Sequence, residues 1–571
     1  MPFDWVSGKQ FRFSTVIYLY RYQVMRKSIL IIFWLLITIG NAGAQGFLRP
    51  KPAEPEPPAR KTEQQVSLEK VSRVYDIINQ NYVDPVNNRA LTEQAIIAML
   101  KQLDPHSVYF TAEQIKRANE ELEGSFEGIG IEFQYFDDTA VVVLVVSGGP
   151  SARAGMKPGD RILRIGNEDA TGPKSESGWI SKRVRGEKGT PVQITVLRPG
   201  IREPLLLTIT RDRITTYSVD TWYMTDSQTG YIKISRFMRT TVREFEDALK
   251  ELKKKNVENL ILDLRGNTGG LMNAAIQLAD HFLGNNRLIV YTQGLNSART
   301  DYRATGRGDF RKGRLVVLID ENSASASEIL TGAIQDWDRG LVMGRRSFGK
   351  GLVQKPYPLP DGSTIRLTIA RYFTPTGRSI QRPYDKGRDK YFEEMNEKIR
   401  RGIYSNIDSL NLHDSLKRIT PAGRVVYGGG GILPDILVPA DTAKTPALIT
   451  ALNRKNLFYR FALSVVLGSR DSLLREFPAV EVFLASQEQR NMLTEQFRGY
   501  ATAWGIEEAR TDWTRNQLPV ERQLATVFAK LLYGNKASVQ AQCYFDPLIG
   551  QAAQIMQDAT ASEFYKIQDT N

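Results

Sequence analysis

The sequence predicts a multidomain protein of α/β and β parts: a half-open β-barrel inserted beside an α/β core, with helical segments at both ends. Three observations carry that expectation. A chain of 571 residues is longer than the roughly 250 to 300 residues at which a single core stops growing. Residues 126–213 are short β-prone runs separated by glycine turns, and residues 215–440 alternate strand with helix, the pattern of a layered parallel sheet. With 42% apolar and 24% charged residues, the composition is that of chains that bury real cores, which excludes wholesale disorder.

The N-terminal residues read as an export leader. Met25, Arg26 and Lys27 form a basic start, residues 28–40 an apolar run, and Ala42, Gly43 and Ala44 a small-residue exit, in the order of a cleavable signal peptide. The run is shorter than the about 20 residues a spanning helix requires, and no cysteine follows to carry a lipid. Residues 1–44 are therefore expected to be presequence with Met25 as the start. Residues 45–61, which contain PKPAEPEPP, are expected to be an extended linker. The mature chain would be periplasmic or otherwise exported, and inner-membrane associated if the leader is kept.

Residues 62–121 form an expected N-terminal helical region. Val71, Val74, Ile77 and Ile78 recur on one helical face, and a second helix is predicted over 91–103. Asp104, Pro105, His106 and Ser107 then break the periodicity. From 122 to 213 strands are expected at 139–146, 161–165, 191–197 and 204–211, with a helical turn at 151–156 and a helix at 178–184. The run Gly128, Ile129, Gly130, Ile131, followed by GGPSARAGMKPGDRILRIG, resembles a PDZ domain of bacterial proteases. That resemblance implies a loop whose backbone N–H groups hold a peptide C-terminal carboxylate while the ligand adds as a strand. Two glycines permit the close approach such a nest requires.

The core is expected over 214–440. Its strands read as 230–237, 259–264, 314–319, 341–344 and 363–373, and its helices as 241–255, 270–283 and 326–337. Residues 441–571 read as a mainly helical C-terminal domain without a catalytic constellation.

The chemistry concentrates where a strand hands over to a helix, in ENSASASEIL (residues 321–330). A hydroxyl at a helix N-terminus is exposed and sits near N–H groups able to stabilise an oxyanion. Small capping residues are the alternative reading of that run. RRSFGKG, residues 345–351, adds a base: no GxSxG elbow and no histidine lie nearby, and Lys350 is flanked by Phe348, Leu352 and Val353. An ordinary lysine titrates near ~10.4 and is protonated at neutral pH. Burial disfavours the ammonium form, so the sequence predicts a depressed pKa for Lys350.

The two runs together resemble the C-terminal processing peptidases, also called tail-specific proteases, over roughly residues 65–440. The family pattern SASASE with lysine in FGKG is matched in residues and in spacing, Ser325 and Lys350 being 25 apart. The resemblance implies a crotonase/ClpP-like peptidase core in which Ser325 is the nucleophile and Lys350 the general base. It implies that Gln354 orients the lysine, that Asp336 assists, and that Ala326 with Gly269 or Gly270 of DLRGNTGG forms the oxyanion hole. Which glycine donates is left open, and Asp336 reads equally as a loop cap. Arg185, in VRGEKGT, resembles an arginine that couples the PDZ domain to the active site, or is a surface residue. YGGGGILPD (427–435) also matches, near the end of the core.

The function expected is a serine endopeptidase that binds apolar C-terminal tails and cleaves through an acyl-enzyme, with no metal or organic cofactor. The alternative is a peptide-binding scaffold with a dead peptidase fold, but Ser325, Lys350 and Gln354 all stand. An HExxH metal site is absent and the three histidines lie far from the nucleophile in sequence. A single cysteine excludes an intrachain disulfide framework. The net charge of +13 comes without a groove-reading motif or basic stripe, so no nucleic-acid partner is expected. Protein substrates are the expected partners; an adaptor protein and a homo-oligomer stay open, and no stable membrane span is expected once the leader is removed.

Overall fold

The computed structural model describes residues 62–172, 178–400, 413–439 and 445–557. The expected leader and Pro-rich linker lie outside the described residues. Among the described residues, 62–87 belong to a first unit, in which the helix Glu63–Asn81 starts from a capping box between Thr62 and Gln65. Val71, Val74 and Ile77 of that helix are exposed.

The second unit begins at Asn88 and is built on a six-stranded sheet. Its strands run in the order Val219–Met224, Thr229–Ile234, Asn259–Asp263, Leu315–Ile319, Leu341–Gly344, Ile436–Leu437. The first pair is antiparallel and the others are parallel. Leu315–Ile319, LVVLI, is buried throughout, because a strand covered on both faces has no wet side to mark with polar residues. One face packs on the helices Thr241–Lys253, Met272–Asp280 and Ala326–Asp336. The other packs on the C-terminal helices Asn535–Tyr544 and Pro547–Gln557.

An all-parallel core is not what forms. A second, antiparallel sheet joins Val108–Phe110, Thr364–Phe373, Leu288–Gly294 and Ser297–Arg303, and Leu352–Pro358 also pairs with Thr364–Phe373. Two of the added strands, 297–303 and 352–358, are half wet: Arg299, Thr300, Asp301, Lys355 and Pro356 are exposed, so no long apolar run announces them. In this sheet residues 108–110 pair with one edge of Thr364–Phe373, and the strand that follows Lys350 pairs with its other edge.

The inserted domain is a sheet ordered Ile131–Phe136, Thr139–Val145, Arg161–Ile165, Pro191–Leu197, Leu205–Thr210, with the helix Trp179–Val184 sharing its core through Ile180 and Val184. Ser125–Gly128 pairs antiparallel with Asp212–Thr215, so the chain enters and leaves this domain side by side. Phe136, Val141 and Val143 on the outer face of the sheet share a core with the helices between Ala447 and Tyr544. The C-terminal helices therefore touch both the inserted domain and the back of the central sheet. No described helix is long and apolar enough to cross a membrane.

Candidate active site

Ser325 closes the turn between the buried strand Leu315–Ile319 and the helix Ala326–Asp336. Its φ of 57° and ψ of −112° put a non-glycine residue in a sparsely populated region that costs about 1 to 3 kcal/mol. Neighbours on both sides hold it there. The Ala324 N–H donates to Asn267 O at 3.0 Å, Ser327 Oγ donates to the same carbonyl at 2.8 Å, and Ser323 Oγ donates to Leu264 O at 2.8 Å. Ser323 and Ser327 are fully buried and spend their hydroxyls on the 264–267 backbone, whereas Ser325 keeps exposed surface. Of the three serines in SASASE, the middle one is the one a substrate can reach.

Glu328 organises the site. Its Oε2 accepts the Ser325 N–H at 2.8 Å and the Lys350 N–H at 2.9 Å. Its Oε1 accepts the Ser347 hydroxyl at 2.6 Å and the Gly349 N–H at 2.7 Å. The backbones of Ser325 and Lys350 thus hang from a single oxygen atom. The buried Tyr372 hydroxyl stands against both of their carbonyls, 3.1 Å from Ser325 O. Burial pushes the Glu328 carboxyl up to about 7, while the four donors pull it down. Sequence reasoning gave Glu328 no role, although S-x-x-E ahead of an apolar run is a capping-box signature.

The Lys350 amine donates to Gln354 Oε1 at 3.0 Å. Burial, then the Arg366 cation, pull it down to about 8, with Glu328 and Asp104 opposing. The Gln354 nitrogen in turn donates to the His106 carbonyl. The backbones of Ser325 and Lys350 thus meet at Glu328, and the Lys350 side chain meets that of Gln354.

The DLRGNTGG loop lies against the Ser325 turn. A methyl group at Gly269 would stand 2.8 Å from Ser325 Cβ and 2.7 Å from Ala324 O, and one at Gly270 would stand 2.1 Å from Phe237 O. The Gly269 N–H donates to Asn267 Oδ1 at 2.9 Å. Among the described residues the Gly270 and Ala326 N–H groups have no acceptor.

Asp336 has a different place. It sits at the far end of the Ser325 helix, about 16 Å along the axis at 1.5 Å per residue. There it meets Arg378 at 2.6 Å in a pair that is 1% and 0% exposed, and it accepts from Thr376 N and Oγ1 at 2.9 and 2.7 Å. Its neighbours are structural partners of a buried guanidinium, and neither Ser325 nor Lys350 is among them.

In the inserted domain the Ile129 carbonyl accepts from Ser151 N and Oγ, and the Gly130 carbonyl from Val146 N. With those carbonyls turned inward and Gly130 at a φ of 73°, the Ile129 and Gly130 N–H groups are left without an acceptor among the described residues. That is the donor arrangement a carboxylate requires. Gly128 and Ile131 flank it. Arg185 caps the helix Trp179–Val184, lies 3.8 Å from Glu120 and stacks its guanidinium 4.6 Å from the Phe126 ring centre. It lines a cavity of about 340 Å³ with Arg117, Ser125, Phe126 and Arg236.

Residues 228–386 match peptidase family S41, residues 128–209 the PDZ domain, and residues 48–114 the activating protease CtpB N-terminal domain. The carboxy-terminal processing protease CtpB of Bacillus subtilis is 35% identical over 328 residues, 56% of this chain and 67% of that protein. A carboxy-terminal-processing protease of Bartonella bacilliformis is 36% identical over 319 residues, 55% of this chain and 72% of its own length. This chain belongs to the carboxy-terminal processing proteases. The matches span about two thirds of these relatives' own length. Among solved structures, the photosystem II D1 C-terminal processing protease is 29% identical, with 56% of this chain and 91% of that one covered and a TM-score of 0.33. The processing-protease family is serine-type, and the strand-to-helix turn with its reachable serine lies inside the matched S41 segment.

Proposed function

We propose that this processing protease is an exported serine endopeptidase that captures proteins by apolar C-terminal tails and cleaves them with Ser325 and Lys350. One observation carries the reading: Ser325 and Lys350 are suspended from the same Glu328 oxygen, and the lysine amine is buried enough to be a base near neutrality. The neutral amine takes the Ser325 Oγ proton as Oγ bonds to the scissile carbonyl carbon. Gly270 and Ala326 N–H groups stabilise the oxyanion, for which Gly269 is less suited because Asn267 already holds its N–H. Collapse breaks the C–N bond, and the lysine ammonium returns its proton to the departing amine. Water then hydrolyses the acyl-enzyme with Lys350 again accepting a proton.

Capture is the task of the Gly128–Ile131 loop, whose N–H groups suit a terminal carboxylate. Ile131, Phe133, Ile180 and Val184 belong to the cluster beside it, which favours apolar tail residues, and Ile131–Phe136 is an edge strand of its sheet, the position at which a ligand strand adds. The leader in residues 25–44 supports export. Incubation with a model protein bearing either an apolar or a charged tail tests the reading. Wild type should cleave the apolar-tailed protein faster, and Ser325→Ala and Lys350→Ala should cleave neither. Equal cleavage of both tails removes tail capture, and cleavage by either variant removes the dyad.

A further inference from the structure

We propose that the turn Asp104–Ser107 is a positioning element of the catalytic base: it fixes the amide of Gln354 so that oxygen, and not nitrogen, faces the Lys350 amine. The inference rests on the Ser325/Lys350 reading. The turn is built around a carboxylate that is 7% exposed. Asp104 Oδ1 accepts the His106 N–H at 2.7 Å and the Ser107 N–H at 2.8 Å, and Oδ2 accepts the Ser107 hydroxyl at 2.5 Å. Ser107 Oγ then accepts the Thr368 N–H at 3.1 Å. Thr368 is the register partner of Gln354 in the antiparallel sheet, so the turn is anchored to the strand beside Gln354.

From that anchor the His106 carbonyl points at the Gln354 amide and accepts from its nitrogen. A carbonyl oxygen can only accept, so the NH₂ end of the amide must face it. The oxygen is thereby committed to the other side, where Lys350 Nζ donates at 3.0 Å. The reversed amide sets donor against donor at Lys350 and leaves the His106 carbonyl unpaired, and an unpaired buried polar group is destabilising. A neutral amine has two N–H bonds and one lone pair. Occupying one N–H restricts the directions open to the lone pair, which is the part that must meet the serine proton. The charged and titratable groups acting on the amine are Arg366, Glu328, Asp104 and His106. The His106 ring, half-buried and near Lys350, is pulled down to about 3 by loss of solvent and by the lysine, and stays neutral, so it adds no pH step of its own.

The test is a double-mutant cycle in the full chain with an apolar-tailed peptide as substrate. Asp104→Asn and Ser107→Ala are each expected to lower kcat about 10-fold or more with KM little changed, the size of one lost buried hydrogen bond. Ser107→Thr, which keeps the hydroxyl, should retain kcat. Placed in a Gln354→Ala background, Asp104→Asn and Ser107→Ala should cost nothing further, because the group they position is gone. Equal losses in both backgrounds, or full activity in both single variants, overturn the proposal. The underlying reading fails separately, through an active Lys350→Ala.

Discussion

Raising the assay from pH 7 to pH 9 is expected to increase kcat/KM about ten-fold and then to level off. The magnitude comes from the buried amine. With a pKa of about 8, roughly one Lys350 in eleven is neutral at pH 7 and about nine in ten at pH 9, whereas an ordinary lysine at 10.5 would be about one in 3000 neutral at pH 7. Burial thus supplies roughly a 300-fold larger population of competent base at neutral pH. The assay is kcat/KM for a fluorogenic peptide with an apolar C-terminus, measured from pH 6 to pH 10. Replacing Arg366, the cation that joins burial in lowering the amine, by Met should move the inflection to higher pH. A rate that climbs without a plateau through pH 10, or one that inflects near 6.5 as an ordinary histidine would, refutes the reasoning. Stability moves with the same proton. The folded amine releases it near 8 and the unfolded amine near 10.5, so between those values the unfolded chain binds more protons and stability rises with pH. The difference amounts to about 3 kcal/mol carried as a cost at neutral pH, so Lys350→Met should abolish cleavage while raising resistance to urea at pH 7.

Three further outcomes follow from the geometry. Glu328→Gln sets an amide N–H against groups that also donate, leaving at least one buried donor unpaired, and should lower kcat 10-fold to 100-fold, matching about 1 to 3 kcal/mol; wild-type kcat would show that the shared carboxylate does not hold the two loops. Asp336→Asn leaves Arg378 without its buried counter-charge and should reduce stability by about 3 to 5 kcal/mol in urea unfolding, with kcat per folded molecule preserved; a stable variant with lowered kcat would restore Asp336 to the chemistry. Arg185→Ala removes the contacts to Glu120 and Phe126 and should change the stimulation of cleavage by a free apolar tail peptide without abolishing basal cleavage; identical stimulation would make Arg185 a surface residue.

Much of this arrangement was legible before any coordinates. Glycine turns marked the inserted domain, and buried strands such as Leu315–Ile319 read as unbroken apolar runs because both faces are covered. Ser325 and Lys350 stood out because their neighbours are unusual: small hydroxyl residues at a helix start, and a lysine among apolar residues. What escaped were contacts between positions far apart in the chain. Glu328 looked like one acid of a helix, and only the fold supplies it with donors from Ser325, Ser347, Gly349 and Lys350. His106 and Gln354 are 248 residues apart, and the turn that joins them looked like a break between helices. The half-wet strands 297–303 and 352–358 escaped for a different reason, since their exposed positions carry charges and prolines, among them Arg299, Asp301, Lys355 and Pro356, and dilute the period-two signal. For Asp336 the sequence offered two readings, an assisting acid or a loop cap, and its partner Arg378, 42 residues on, belongs to the contacts that only the fold supplies.

The central claim is that Lys350 activates Ser325, and covalent trapping tests it most directly. Wild-type protein treated with a fluorophosphonate at pH 8 should gain one adduct by intact mass, located on Ser325 by peptide mapping. Labelling should vanish in Ser325→Ala and slow by at least about 100-fold in Lys350→Met, the scale on which a positioned base acts. An adduct on another residue, or labelling of Lys350→Met at the wild-type rate, would contradict the account.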